Sequence, residues 1–375
     1  MNILIINTIL YSGKGRFIPK VKSIKDTMIY NLGLGFVHEG HNITLIAGAE
    51  FIPTEQEVYD FKILFFKSGL KNILYPSVIP FTPRLFSYLL SNHKKYDFII
   101  SSEVVSINTL IATIICPQKT IIWQELGDHQ RLLKKMPSKI WYNIIAPLFM
   151  RKAIIVPRSN ISQQFIKKYL PQISNTIIGH GVNQSRLISS KKKKKQFIII
   201  ARLIPTKNIA NIIKKFDRFL SKYNETDYIL YIAGKGELEQ DLKKFVKALN
   251  REKNIIFLGH IDHQTLGEKK YLAEATASFA DTLQDLNMIS LFESISSGTP
   301  VITNRIPYNS VEIEQNGLGI VKDNWNEDDI KAIIDNNNEY TDRCLQYKNN
   351  LSIESTAKKF IQVYKDYIEN KLLQR

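Results

Sequence analysis

Cysteine is scarce in this 375-residue chain: only Cys116 and Cys344 occur. Two such residues build no disulfide framework, and neither has metal-ligand spacing around it. No apolar run reaches the roughly 18 residues that a membrane-spanning helix requires. The opening MNILIINTIL lacks a basic n-region and a cleavage site. It is read as a buried first strand rather than a signal peptide, and a cytoplasmic setting is expected. Acidic residues are missing from one long stretch: between Asp128 and Asp217 there is no Asp or Glu. That stretch holds Arg131, Lys134, Lys135, Lys139, Arg151, Lys152, Arg158, Lys167, Lys168 and the run Lys191 to Lys195, within a chain of net charge +16. Such a face attracts anions, whether lipid headgroups, anionic polymers or nucleic acid. Solvated charge on a basic, Ile/Lys/Asn-rich chain is the plain alternative. Nucleic acid is not expected, because no nucleic-acid module is recognisable and the cations are not interleaved with stacking aromatics. Internal repeats are absent, and no His/Cys/carboxylate cluster has metal-ligand spacing.

What is present is enough apolar residue, 44%, for packed cores, and a length that suits two domains. Short apolar runs alternate with helical patterns. Asn2–Ile6, Ile43–Ala47, Phe98–Ile100, Thr120–Trp123, Ile154–Val156 and Thr176–Ile178 read as strands, with Ser23–Glu39 and Ser162–Tyr169 helical. A second series follows the lysine run: strands at Phe197–Ile200, Tyr228–Ala233, Ile255–Leu258, Ser278–Ala280 and Val301–Thr303. Helices at Asn208–Leu220, Leu238–Leu249, Leu266–Ala275 and Asn287–Ser297 separate them. This alternation predicts an α/β architecture of two Rossmann-like domains facing across a cleft. The expected limits are 1–190 and 196–354, joined by the exposed Ser189–Lys195 segment. A long helix, 355–375, packs back on the first domain.

The segment Asp285 to Ile302, DLNMISLFESISSGTPVI, carries the most chemistry. A carboxylate, Asp285, precedes a helix capped by Asn287, and Glu293 lies eight residues later inside that helix. The helix closes on Gly298. Backbone N–H groups at a helix start can hold a diphosphate, and flanking carboxylates can hold hydroxyls. The alternative is an ordinary amphipathic helix with an exposed Glu293. The layout resembles the donor motif of retaining GT-B-fold glycosyltransferases of family 4 (glycosyl transferases group 1), with Asp285 where that family has Glu and Leu-Asn-Met where it usually has Gly-Phe-Gly. The resemblance implies that Glu293 binds ribose hydroxyls and Asp285 the sugar. It places the diphosphate on the backbone of Leu286, Asn287 and Met288.

Ala201-Arg202-Leu203-Ile204-Pro205-Thr206-Lys207-Asn208 follows a predicted strand and resembles the family's Gly-Arg-Leu…Lys motif. A nucleoside diphosphate gains charge as it leaves, so cations such as Arg202 and Lys207 stabilise that transition state. Gly234 and Gly236, in Ala-Gly-Lys-Gly-Glu, open a turn near the nucleotide base or serve the backbone alone. Gly13 and Gly15 sit in a glycine-bearing loop that lacks the third glycine of a dinucleotide fingerprint. In GT-B proteins that loop covers the donor phosphates. His129, with Asp128 and Glu125 as alternates, lies past a strand end, where open α/β sheets bind ligands. The resemblance gives that position an acceptor-side role. His180 is read as part of a domain-end turn.

No Asp-x-Asp occurs, which argues against metal-dependent GT-A transferases, and no cofactor or metal is expected. The resemblance implies retaining transfer from a nucleotide sugar, most simply a UDP-sugar, to a glycan or lipid-linked acceptor. The setting would be polysaccharide, lipopolysaccharide or teichoic-acid synthesis. The cations beside Trp141-Tyr142 and Ile144–Met150 suit docking on an anionic membrane. A non-catalytic GT-B partner of another transferase and a GT-B epimerase are the alternatives.

Overall fold

A computed structural model describes residues 1–11, 18, 22–130, 132–284 and 288–373. The chain divides into two compact units, Met1–Gly181 with Ile353–Arg375, and Val182–Ser352.

The first unit holds six parallel strands: β1 Asn2–Ile6, β2 Asn42–Gly48, β3 Lys62–Phe66, β4 Phe98–Ser102, β5 Thr120–Gln124 and β6 Ile154–Pro157. Their order is β3-β2-β1-β4-β5-β6. The second unit repeats the plan with β7 Gln196–Ile200, β8 Ile229–Ala233, β9 Ile255–Gly259, β10 Ala277–Phe279, β11 Val301–Thr303 and β12 Gly319–Val321, in the order β12-β11-β10-β7-β8-β9. In both sheets the first strand lies between chains that run off in opposite directions. Such sheets bind ligands at the carboxyl ends of the strands on either side of that switch. The switch lies between β1 and β4 in one unit, and between β7 and β10 in the other. The central strands read as mostly apolar, buried runs because helices cover both faces.

Several boundaries differ from the sequence reading. The first helix is Met28–His38, starting where the Thr27 hydroxyl accepts the Tyr30 N–H. Thr176–Ile178 is not a strand. Ile178 donates one N–H to the Pro157 carbonyl and accepts from the Trp123 indole at 2.6 Å, so it is pinned by isolated bonds rather than a ladder. Leu266–Ala275 is helical only in part, since that helix is His263–Glu268. β3 and β12 were missed, as was the helix Asn309–Gln315. The C-terminal helix Ile353–Leu373 belongs to the first unit. Gly35 makes room for it, because a Cβ there would sit 2.3 Å from the Ile353 carbonyl oxygen. Phe360 is buried in the first unit's core.

The lysine run lies in the second unit and is largely spent there. Lys191 pairs with Asp342 at 2.6 Å, and Lys194 pairs with Glu274. Lys193 donates to the Ala273 carbonyl and the Thr299 hydroxyl, and burial lowers its ammonium to about 8.

In the first unit a helical run extends from Met136 to Phe149, with a π turn at Trp141–Ile145. Ser138, Tyr142, Ala146 and Met150 are buried at four-residue spacing. Met136, Ile140, Ile144 and Leu148, also spaced by four, are each about half or more exposed, up to 66% at Leu148. No helix among the described residues is long and apolar enough to cross a membrane.

Candidate functional site

In the second unit the switch point is lined by two loops. The first leaves β7 as Ala201–Ile204, makes a 3-10 turn at Pro205–Lys207 and enters the helix Ile209–Lys222 through Asn208 in the left-handed region, φ 49°. The second leaves β10 and runs to the helix Ile289–Ser296. Asp281, at the start of the second loop, joins them. Its Oδ2 accepts from Asn211 at 2.6 Å, Lys215 at 3.0 Å and Asn208 at 3.2 Å, and its Oδ1 accepts from Asn304 at 3.3 Å. Both Lys215 and Asp281 are buried, and the Lys215 ammonium also sits 3.9 Å from the Trp325 ring centroid. The Thr206 carbonyl accepts from the Thr282 hydroxyl and the Leu283 N–H, at 2.9 and 2.8 Å. The Pro205–Lys207 turn and Asn208 after it are thus held by groups of the neighbouring loop, the buried Asp281 among them.

Arg202 projects from the turn exposed, and Lys207 is partly buried beside it. Burial, with the Arg202 charge added, pulls Lys207 down to about 8. Two cations gathered in this way raise the local affinity for an anion. Gly234 and Gly236 face this loop from the end of β8. A Cβ on Gly234, whose φ is +148°, would lie 1.8 Å from the Ala201 carbonyl oxygen, and one on Gly236 would lie 2.2 Å from that of Leu203. The two turns interlock through Leu203 N–H to Lys235 O and Leu238 N–H to Leu203 O, both 3.0 Å. What the geometry shows at Gly234 is therefore backbone approach that sets the Arg202 loop.

Asp285, Leu286 and Asn287 lie outside the described residues, as do Gly13 and Gly15. The helix that follows is capped at Met288, one residue later than Asn287. The Asn309 side chain accepts the Met288 N–H at 2.7 Å, so a residue far along the chain fixes the helix start. Glu293 is the partly exposed position between buried Phe292 and Ser294. The helix ends on Gly298 at φ +77°, with Thr299 N–H bonded to Ser294 O and Gly298 N–H to Ile295 O. That is the left-handed Schellman stop expected of a C′ glycine.

In the first unit a cavity of about 550 Å³ opens at the β1/β4 switch. Its walls include Asn7–Tyr11 after β1, Glu103 after β4, Glu125 after β5, Arg158 after β6, and His180. Glu103 adopts φ +66°, and its carboxylate accepts the N–H groups of Glu125 at 2.8 Å and Leu126 at 3.3 Å. Burial, reinforced by Glu125, raises Glu103 to about 7 against the pull of Arg158 and these N–H donors. Arg158 donates to Glu125 at 2.6 Å and lies 3.7 Å over the Trp123 ring. Burial and the Arg158 charge hold His180 well below its usual value, so its Nε2 accepts from Arg158 at 3.3 Å.

His129 is placed differently. It packs among Tyr142, Phe165 and Tyr169, with its ring nitrogens bonded to Ser138 Oγ at 3.1 Å and Tyr169 OH at 3.2 Å. It is not among the residues lining the cavity, whereas its alternate Glu125 is. Asp128 is exposed and pairs with Lys135. Sequence reasoning missed Glu103, Arg158 and Asp281. Glu103 and Arg158 directly follow a strand and Asp281 lies two positions past one, and that placement is the signal that could have found them. Among the described residues no group of three or more His, Cys, Asp or Glu side chains could hold a metal ion.

Residues 181–351 match the family model of glycosyl transferases group 1. An uncharacterized glycosyltransferase of Methanocaldococcus jannaschii is 24% identical over 202 residues, 50% of this chain and 49% of that protein. The poly(ribitol-phosphate) alpha-N-acetylglucosaminyltransferase of Staphylococcus aureus is 25% identical over 179 residues, 47% of this chain and 33% of that protein. The matched stretches thus span half or less of these curated relatives. Among solved structures, HepE of Anabaena in complex with UDP superposes with a TM-score of 0.65 at 13% identity, covering 98% of this chain and all of that one. The fold is GT-B: two six-stranded parallel sheets, with the C-terminal helix packed on the helix Met28–His38.

Proposed function

With residues 181–351 those of glycosyl transferases group 1, we propose that this protein is a retaining glycosyltransferase using a nucleotide sugar, most simply a UDP-sugar. The observation that carries the reading is the pairing of Arg202 with Lys207 on a turn anchored at the β7/β10 switch. The reaction breaks the bond between the anomeric carbon and the diphosphate. The acceptor oxygen attacks on the face the leaving group departs from, and its proton passes to a donor phosphate oxygen. Arg202 and Lys207 hold the departing diphosphate, the backbone at Leu286 and Asn287 supplies N–H groups to it while the Met288 N–H is taken by Asn309, and Gly13 and Gly15 border it. Glu293 binds the ribose, Asp285 the transferred sugar, and Gly234 shapes the base side. The chemistry draws on positioning and fixed charge and requires no metal.

The test is binding of a nucleotide-sugar panel by calorimetry, with donor hydrolysis followed by mass spectrometry. One UDP-sugar should bind, and Glu293→Ala should weaken it about tenfold, roughly the loss of a hydrogen bond to a charged group. Indifference of the protein to every nucleotide sugar would move the weight to a non-catalytic GT-B partner.

The acceptor, in this reading, is a cell-envelope glycan or a lipid-linked sugar, reached at an anionic membrane surface. The supporting feature is the exposed stripe Met136, Ile140, Ile144 and Leu148, bounded by Lys134 and Lys139 at one end and Arg151 and Lys152 at the other. An apolar face flanked by cations is the pattern of an interfacial helix. The protein should float with phosphatidylglycerol vesicles and not with phosphatidylcholine. The double change Ile144→Glu, Leu148→Glu should abolish flotation while leaving UDP binding intact. Equal flotation by the variant would discard this helix as the contact.

A further inference from the structure

Lys207 is an amine held beside a guanidinium on one anchored turn, an arrangement suited to more than binding an anion. We infer that Lys207 is a modification site, at which small acyl phosphates seat their phosphate on Arg202 and pass their acyl group to the Lys207 amine. The chemistry needs a nucleophile and an anion-binding group held together, and the backbone supplies this. The Arg202 carbonyl accepts the Ile204 N–H, and the Ile204 carbonyl accepts the Lys207 N–H, each at 3.0 Å. Two bonds in series thus fix both residues on one turn. That turn is held from outside at Leu203, whose N–H is bonded to the Lys235 carbonyl, and at Thr206, whose carbonyl accepts from Thr282 and Leu283. Arg202 is open to solvent, where it can meet an incoming anion, and Lys207 is partly buried.

In the step, the Lys207 nitrogen bonds to the acyl carbon as the bond from that carbon to the phosphate oxygen breaks. The products are an amide and inorganic phosphate, which leaves with one amine proton. Arg202 stabilises the charge that gathers on the leaving phosphate. Only the unprotonated amine attacks. With Lys207 at about 8, roughly a tenth of it is free amine at pH 7, against roughly a few parts in ten thousand for an ordinary lysine. Lys193 is a control within the chain. It too is partly buried and lowered to about 8, but the Glu274 carboxylate acts on it where a guanidinium acts on Lys207. Its ammonium is also bonded to the Ala273 carbonyl and the Thr299 hydroxyl. Acylation removes the charge of Lys207. By the transferase reading, on which this consequence alone rests, it also takes one cation from the diphosphate.

Incubation of the full chain with acetyl phosphate tests this, with the acetylation rate at each lysine followed by mass spectrometry. Lys207 should react about tenfold or more faster than Lys193, through the phosphate held beside it. On the unaltered protein, added inorganic phosphate should slow Lys207 by competition for Arg202. Arg202→Ala should slow Lys207 about tenfold with acetyl phosphate, and no more than about threefold with p-nitrophenyl acetate, which brings no phosphate for the guanidinium to hold. Lys207 no faster than Lys193, indifference to inorganic phosphate, or an equal loss with both acyl donors would overturn the inference. UDP affinity measured before acetylation separates the two readings. Selective acetylation of Lys207 in a protein that binds no UDP rejects the donor reading alone. UDP binding with Lys207 no more reactive than Lys193 rejects the acylation inference alone.

Discussion

Arg202→Ala is expected to lower kcat/KM by about a hundred- to a thousandfold, the usual cost of removing one preorganised donor to developing charge. Lys207→Ala should cost a similar amount, and the two losses should not add, because both cations act on one diphosphate. Lys207 also predicts the pH dependence. Its ammonium sits at about 8, below its ordinary value, because burial and Arg202 disfavour the charged form. A bound diphosphate reverses that balance and raises it again. Below about 8 the free protein already carries the proton, so UDP affinity is at its full value. As pH rises through 8 the proton is lost from the free protein and must be taken up on binding. Affinity should then fall by up to tenfold per pH unit, as one linked proton dictates. Calorimetry at pH 8.5 in buffers of different ionisation enthalpy should show uptake of up to one proton, absent in Lys207→Ala. A flat profile from pH 7 to 9 would remove Lys207 from the diphosphate site.

Asp281→Ala is expected to destabilise the second unit by about 3–5 kcal/mol, the range for removing one partner of a buried ion pair. Lys215 would be left buried with its charge uncompensated, and Asn208, Asn211 and Asn304 would lose an ionised acceptor. Adding Lys215→Met should restore part of the loss, since the stranded charge is gone. A chain of two units has no single unfolding free energy, so local hydrogen exchange across 205–222 and 281–284 is the suitable measurement. Faster exchange confined to those segments is the expected result. The loosened Thr206 turn should also raise the donor KM. Unchanged exchange would mean that the loops are held by their backbone bonds alone.

The strands were legible because a sheet covered by helices on both faces leaves short, mostly apolar runs, as in Phe197–Ile200 and Ile43–Ala47. β3 and β12 lie at sheet edges, only partly buried, and were not read as strands. The Gly298 stop was legible because a left-handed C′ position selects glycine by local sterics alone. So was the Arg202–Lys207 pair, whose spacing on one turn is a property of consecutive residues.

The remaining features depended on residues that meet only in the folded chain. Asp281 gains its role from donors about 70 positions earlier and from Asn304. Met288 is capped by Asn309, and Gly234 is forced by the carbonyl of Ala201 on the next strand's loop. The letters after the strand put His129 ahead of Glu125. Ring contacts with Tyr142, Phe165 and Tyr169 hold the partly exposed imidazole in an aromatic cluster, and Glu125 lies on the cavity wall. Local chain geometry is thus written in neighbouring residues, whereas the partners of a buried charge or a packed ring are set by tertiary contacts.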